Sequence, residues 1–201
     1  MAYEVVRRRM EYDGALVRVR VDTVVQPDGS RAEREVAEHA DSVAIVAVDD
    51  RQRVLLIRQY RHPAGQYLWG LPAGLCDKPG EPPLGTAQRE LAEEADLRAG
   101  RWDTLIDWVL SPGGTSEAFR CYLARGVSPV PDAERHTREG EEQDMPAAWF
   151  GLDEVRDAVL AGRLHNPSLV VGVLTACAAR DAGWSTLRPA DAAWPEHPAF
   201  R

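Results

Sequence analysis

The sequence predicts an α+β protein that opens with an antiparallel sheet, and three observations carry this prediction. Val17, Val19 and Val21 alternate with Arg18, Arg20 and Asp22, the period of two that places apolar and polar side chains on opposite faces of a strand. Leu84 to Ala95 contains no proline, consists mostly of good helix formers, and follows Pro82 and Pro83, which a first helical turn accepts. Leu152, Val155, Val159 and Leu160 then recur at helical spacing, and Ser168 to Arg180 is apolar nearly all round, as in a helix buried between layers or at a subunit contact.

The elements follow in order. Pro27-Asp28-Gly29-Ser30 supplies turn chemistry after the first alternating strand, and the return from Arg34 to His39 completes a hairpin. Ser42 to Val48 and Val54 to Ile57 are near-continuous apolar runs on either side of a turn at Asp49 to Gln52, so both are expected as central strands. After the helix, Trp102 to Leu110 and Ala118 to Ala124 read as strands around a Pro112-Gly113-Gly114 turn. An acidic, polar stretch from Asp132 to Asp144 precedes the last two helices, and the final residues, with Trp184, Trp194, Pro195, Pro198 and Phe200, form an irregular aromatic tail. No internal repeat and no Gly-, Ser- or Pro-rich linker splits the chain. The expected organisation is N-terminal strands over 1–40, a main domain over 41–182 and the tail over 183–201.

Composition narrows the function classes. With 201 residues, 44% hydrophobic and 28% charged, the chain can bury a sizeable core and is neither a disordered tail nor a coiled-coil rod. A formal charge of −8 argues against coating nucleic acid, whose nonspecific affinity comes from phosphate neutralisation by Lys and Arg, but leaves small anionic substrates open. Arg7, Arg8 and Arg9 have no apolar region behind them, so no signal peptide is expected, and the longest apolar run, Val43 to Val48, is too short to span a bilayer. Cys76, Cys121 and Cys177 fit neither a disulfide framework nor a zinc spacing, which makes the reducing cytoplasm the simplest compartment.

The chemistry concentrates between Gly74 and Leu97. On a helix, Glu93 and Glu94 fall about 60° to one side and about 40° to the other of Glu90, so three carboxylates share one stripe, while Leu84, Leu91 and Ala95 lie roughly 100° to 140° away. One stripe is therefore core and its neighbour acidic. Like charges at this spacing cost roughly 0.2–0.5 kcal/mol per pair, a penalty that a divalent cation reverses. Oxygen-only donors with no Cys or His beside them select a hard cation, Mg²⁺ or Mn²⁺. An isolated Glu-Glu pair would instead be a solvated helix face.

The order Gly74, Glu81, Arg89-Glu90-Leu91, Glu93-Glu94, Leu97 resembles the Nudix box: Gly, five residues, Glu, seven residues, then Arg-Glu-apolar-any-Glu-Glu-any-Gly-apolar. Two positions depart from it. Six residues separate Gly74 from Glu81, and Asp96 stands where the box has its second glycine, at a point where helices often end in left-handed geometry. Leu71-Pro72-Ala73-Gly74, Gln59-Tyr60-Arg61 and Ser111-Pro112-Gly113 extend the resemblance to the ADP-ribose pyrophosphatase-like subfamily over roughly Arg34 to Trp149. Gly70, Gly114 and Ser116 stand where that subfamily usually has acidic or aromatic residues. The resemblance implies a Nudix fold, with a mixed β-sheet sandwiched between helices, and an N-terminal sheet that serves a homodimer.

It also implies a reaction: hydrolysis of the pyrophosphate bond of ADP-ribose, giving AMP and ribose 5-phosphate, or of a related nucleoside diphosphate sugar. The alternatives are a Nudix hydrolase for a different dinucleotide or nucleotide sugar, and a nucleotide-binding or regulatory module without turnover. By resemblance Glu90, Glu93 and Glu94, with the Ala73 carbonyl, hold Mg²⁺ or Mn²⁺, Arg89 orients them through ion pairs, and Glu81 is a supporting acid. The subfamily places a catalytic glutamate in a loop such as Glu139 to Asp144, and Glu142 is taken ahead of Glu141 as the base that activates water. Arg51 to Gly74 holds four arginines and no acid, and within it Arg61 is the expected phosphate or ribose contact, followed by Arg34 upstream. Tyr67 and Trp69 would either stack on adenine or pack in the core.

Overall fold

The computed structural model describes residues 3–138 and 140–197, with the backbone alone at 141 and 142. The alternating segment and its return form the hairpin β2 (Val17–Val25) and β3 (Arg31–His39), and a strand the alternation did not mark, β1 (Val5–Asp13), adds to β2 in an antiparallel sheet of order β1-β2-β3. The turn between β2 and β3 needs Gly29 at φ 81°, and Asp28 Oδ1 accepts from the Ser30 backbone N–H at 2.9 Å. Every residue of β1 is exposed, including Val5, Val6, Met10 and Tyr12.

The two apolar runs enter different sheets. β4 (Ser42–Ala47) lies in a five-stranded mixed sheet, parallel to β9 (Ala118–Pro129) and antiparallel to β7 (Ala73–Leu75). The order is completed outward from β9 by β8 (Leu97–Val109) and the two-residue β11 (Arg188–Pro189). β5 (Arg53–Arg61) is instead the centre of a second antiparallel sheet, between β10 (Ala147–Gly151) and β6 (Gln66–Gly70). The turn separates the two runs: Asp49 Oδ1 accepts from the backbone N–H groups of Arg51 and Arg53, Gln52 takes φ 57°, and one bridge, Val48 to Val54, links them. An apolar run marks a strand covered on both faces, and does not say which sheet the strand joins.

Strand alternation divides the core in two. Val43, Ile45 and Ala47 of β4 pack with Leu55, Tyr122 and the helix α1 (Pro83–Ala95), whereas Ala44 and Val46 pack with Leu71, Cys121, α2 (Leu152–Leu160) and α3 (Pro167–Asp181). The mixed sheet is thus sandwiched between α1 on one face and α3 on the other, and the nearly all-apolar α3 is a layer helix. It starts at Asn166, whose side chain accepts from the Ser168 N–H, with Pro167 in the first turn. In the tail, β11 pairs with β8, and Trp194 is fully buried beneath the Arg120 guanidinium, which also donates to Ala192 O and Ala193 O. Among the described residues no helix is long and apolar enough to cross a membrane.

Candidate active site

The helix α1 starts at extended Pro82 with Pro83 in its first turn, and Ala87 and Leu91 fix its apolar stripe against β4. That packing turns the acidic stripe toward the short strand β7. Glu94 is 8% exposed, and its Oε2 accepts the Ala73 backbone N–H at 2.9 Å. A buried carboxylate is tolerated when it is hydrogen-bonded, so this contact pins the helix to the strand. Gly74 follows at once, and a Cβ there would collide with Glu90 Cδ and Oε1. The glycine is needed because the Glu90 side chain occupies the space. Burial raises the Glu90 carboxyl above the ordinary carboxylate range, with Glu93 adding to the rise and Arg89 opposing it.

Arg89 is the hub of the cluster. Its Nε and Nη2 donate to Glu81 Oε1 and Oε2 at 3.1 and 3.0 Å, and its Nη1 donates to Glu90 Oε1 at 2.5 Å and Glu93 Oε2 at 3.0 Å. Thr86 Oγ1 donates to Glu81 Oε2 at 2.9 Å. Burial acts to lower the guanidinium's pKa, but the hydrogen bonds and charges of its three glutamates outweigh it and raise the value. The Arg89 and Thr86 hydrogen bonds hold Glu81 below the usual carboxylate range against burial. Glu81 and Arg89 therefore make a fixed fork from which Glu90 and Glu93 are oriented.

Ala73 and Gly74 line a cleft of about 610 Å³. Arg61, at the end of β5, lines it too, as do His39, Glu117 and Asn166, which the sequence reading did not select. Asn166-Pro167-Ser168 carries a helix-start signal that would have drawn attention to that position; His39 and Glu117 carry no comparable signal. Ser42 Oγ donates to Glu117 Oε1 at 2.7 Å, so this buried acid is part of the cleft wall. Arg34 does not line the cleft; its guanidinium donates to Glu33 O and Gln26 Oε1 on the exposed N-terminal sheet. Trp69 packs edge-on to Phe150 against the core, and the Tyr67 O–H donates to Asp144 Oδ2 at 2.6 Å. The acidic loop includes a short 3₁₀ turn, Gly140–Asp144, but Glu139 and the side chains of Glu141 and Glu142 lie outside the described residues.

The donor set suits a hard divalent cation. Glu90, Glu93, Glu94 and the Ala73 carbonyl offer only oxygen, the donor type that Mg²⁺ and Mn²⁺ take. In the present geometry, however, Arg89 Nη1 supplies the positive charge between Glu90 and Glu93. No three His, Cys, Asp or Glu side chains among the described residues converge closely enough to hold an ion. Cation binding would require Glu90 and Glu93 to turn from Arg89, which would keep its two bonds to Glu81.

A carboxylate helix docked on a glycine-containing strand beside a cleft is the arrangement of a class of nucleotide-processing proteins, and comparison with known proteins defines the class. The NUDIX domain family matches residues 38–169, and the chain belongs to the Nudix family. It is 41% identical over 196 residues to the ADP-ribose pyrophosphatase of Mycobacterium tuberculosis, covering 98% of this chain and 93% of that protein. It is also 30% identical over 162 residues to the methanol dehydrogenase activator of Bacillus methanolicus, covering 81% and 85%. A solved structure described as an ADP compounds hydrolase superposes with a TM-score of 0.77 at 21% identity, covering 91% of this chain and 97% of that one, which shows the shared fold. Nudix hydrolases generally use a divalent metal.

Gly74→Ala should displace Glu90 and lower turnover of a nucleoside diphosphate roughly 10-fold to 100-fold, the scale of a misplaced catalytic group. The melting midpoint should change little, because the added methyl meets the far end of a flexible side chain. Steady-state kinetics beside a thermal melt checks both.

Proposed function

We propose that this Nudix protein is a pyrophosphohydrolase that cleaves ADP-ribose to AMP and ribose 5-phosphate in the presence of Mg²⁺ or Mn²⁺. The observation that carries the reading is the stripe of Glu90, Glu93 and Glu94 docked through the Glu94–Ala73 hydrogen bond at the wall of a cleft large enough for a nucleotide. The substrate choice is supported by the near full-length similarity to an ADP-ribose pyrophosphatase.

The chain's own residues divide the work. Glu90, Glu93, Glu94 and the Ala73 carbonyl would hold the cation, which neutralises phosphate charge and acidifies the attacking water. Arg89, locked to Glu81, holds Glu90 and Glu93 together in the present geometry and stays on Glu81 when they turn to the cation, so its contacts are carboxylates and not the substrate. Arg61 in the cleft wall donates to phosphate oxygens, two at once when the guanidinium lies flat against them. Arg34 would meet only a part of the substrate that extends beyond this cleft. Glu142 accepts the proton that water loses as its oxygen bonds to phosphorus, and the bond from that phosphorus to the bridging oxygen breaks. Carboxylate replacement should be felt mainly in kcat, because the charge being neutralised grows toward the transition state.

The exposed apolar side chains of β1, with Leu16 beyond it, support a homodimer in which a second copy covers the N-terminal sheet. Cys76, Cys121 and Cys177 are free thiols, in keeping with a reducing cytoplasm. Light scattering should give twice the 22.2 kDa chain mass, and Tyr12→Glu should shift it toward the single chain; a monomeric parent contradicts the dimer.

Glu94→Gln should reduce ADP-ribose turnover by two or more orders of magnitude, on the order of a lost transition-state charge contact, while ADP-ribose still binds. Parental turnover in that variant contradicts the metal-site reading. Chelation by EDTA should abolish hydrolysis, and added Mg²⁺ should restore it. Tight ADP-ribose binding with no product under any metal would instead favour a regulatory module without turnover. A panel of nucleoside diphosphates with products identified separates ADP-ribose from other nucleotide sugars.

A further inference from the structure

The carbonyl end of α1 is closed by an arginine from a distant segment. Arg138 donates Nε to Glu93 O at 3.2 Å and Nη2 to Glu94 O at 3.1 Å, and the same Nη2 pairs with Asp96 Oδ2 at 2.6 Å. The last carbonyls of a helix lack partners within it and carry the negative end of its dipole, so a guanidinium satisfies both. These two carbonyls belong to residues whose side chains carry the carboxylate stripe.

Asp96 is the residue that stands where the Nudix box has glycine. It sits at φ 53° and ψ 35°, the left-handed geometry that glycine adopts freely and aspartate at some cost. Glycine would end the helix equally well. What it would lack is the carboxylate that grips Arg138. The other oxygen of that carboxylate, Oδ1, is buried with no hydrogen-bond donor among the described residues, so the Arg138 guanidinium is what balances this half-buried charge.

Arg138 immediately precedes the acidic loop that ends at Asp144, and that far end is also tied. Gln143 Nε2 donates back to Arg138 O at 3.4 Å, and Tyr67 of β6 donates to Asp144 while the Arg58 guanidinium lies 5.0 Å from the Tyr67 ring centroid. One tie runs to the end of α1 and the other to β6.

We propose that Asp96 and Arg138 are positioning residues: their ion pair sets the segment leading into the acidic loop against the carbonyl end of α1, and so holds the backbone of Glu93 and Glu94 in register with that loop. The inference rests on the reading of α1 and the loop as two parts of one hydrolytic site. Neither residue touches the substrate, so their loss should appear in kcat and leave KM largely alone.

The test is a double-mutant cycle of Asp96→Gly and Arg138→Met, assayed with ADP-ribose and Mg²⁺, with melting and amide exchange measured on the same proteins. Asp96→Gly should lower kcat roughly 10-fold, leave KM within about 2-fold, and keep or raise the melting midpoint, because glycine suits the left-handed position better. Arg138→Met should do the same to kcat, and the double variant should be no worse than the poorer single. Exchange should speed up over 140–144 and stay unchanged in β4. Parental kcat in Asp96→Gly, additive losses in the double variant, or unaltered exchange over 140–144 would each overturn the proposal. If Glu94→Gln hydrolyses as fast as the parent, the hydrolytic reading fails separately, and the exchange result still decides whether the tie exists.

Discussion

The structure of the site depends on the close approach of α1 to β7. Glu94 can be buried because the Ala73 N–H meets its carboxylate, and Glu90 can lie alongside because Gly74 has no side chain. Burying an unpaired charge would cost far more than a small domain can spare, whereas a charge-assisted hydrogen bond at 2.9 Å turns the same burial into an anchor. The anchor has a direction: it sets the carboxylate stripe against Ala73 and Gly74, the β7 residues that line the cleft, while Ala87 and Leu91 hold the adjacent stripe of the helix in the core.

A second constraint follows from putting so many acids together. Glu81, Glu90, Glu93 and Glu94 crowd one region, and Arg89 is the cation that makes this tolerable in the present geometry. Its divided attachment matters. Two bonds go to Glu81 and one each to Glu90 and Glu93, so the guanidinium stays in place when the latter pair turn to another cation. The formal charge of −8 also acquires locations: Gly74 to Leu97 holds six acids against two bases, and Glu134 to Asp144 holds five against two. Those segments are the helix and the loop of the proposed reaction, with the arginine-only stretch from Arg51 to Gly74 between the N-terminal sheet and the helix.

Much of this was legible in the sequence, for identifiable reasons. Arg89-Glu90-Leu91-Ala92-Glu93-Glu94 could be read because helical periodicity restricts spacing and cation chemistry restricts residue type. The alternation in β2 and the apolar α3 were equally direct. What could not be read depends on contacts between distant segments. The runs at Ser42 to Val48 and Val54 to Ile57 look alike locally yet belong to different sheets, and the reason for Gly74 appears only once Glu90 lies over it. Asp96 could be read only as a departure from a pattern; its partner Arg138 is 42 residues away. His39 at the end of β3 and Glu117 just before β9 meet at the cleft only through the packing of distant segments, which the sequence pattern did not carry.

The claim at the centre of this account is that Glu90, Glu93 and Glu94, presented by the docking of α1 on β7, form the cation site of a Nudix hydrolase. Anomalous diffraction from crystals soaked in Mn²⁺ tests it most directly. A manganese peak bounded by those carboxylates and the Ala73 carbonyl, with Arg89 still bonded to Glu81, is the predicted result. A peak elsewhere on the chain, or an undisturbed bond from Arg89 to both Glu90 and Glu93 at saturating Mn²⁺, would contradict it.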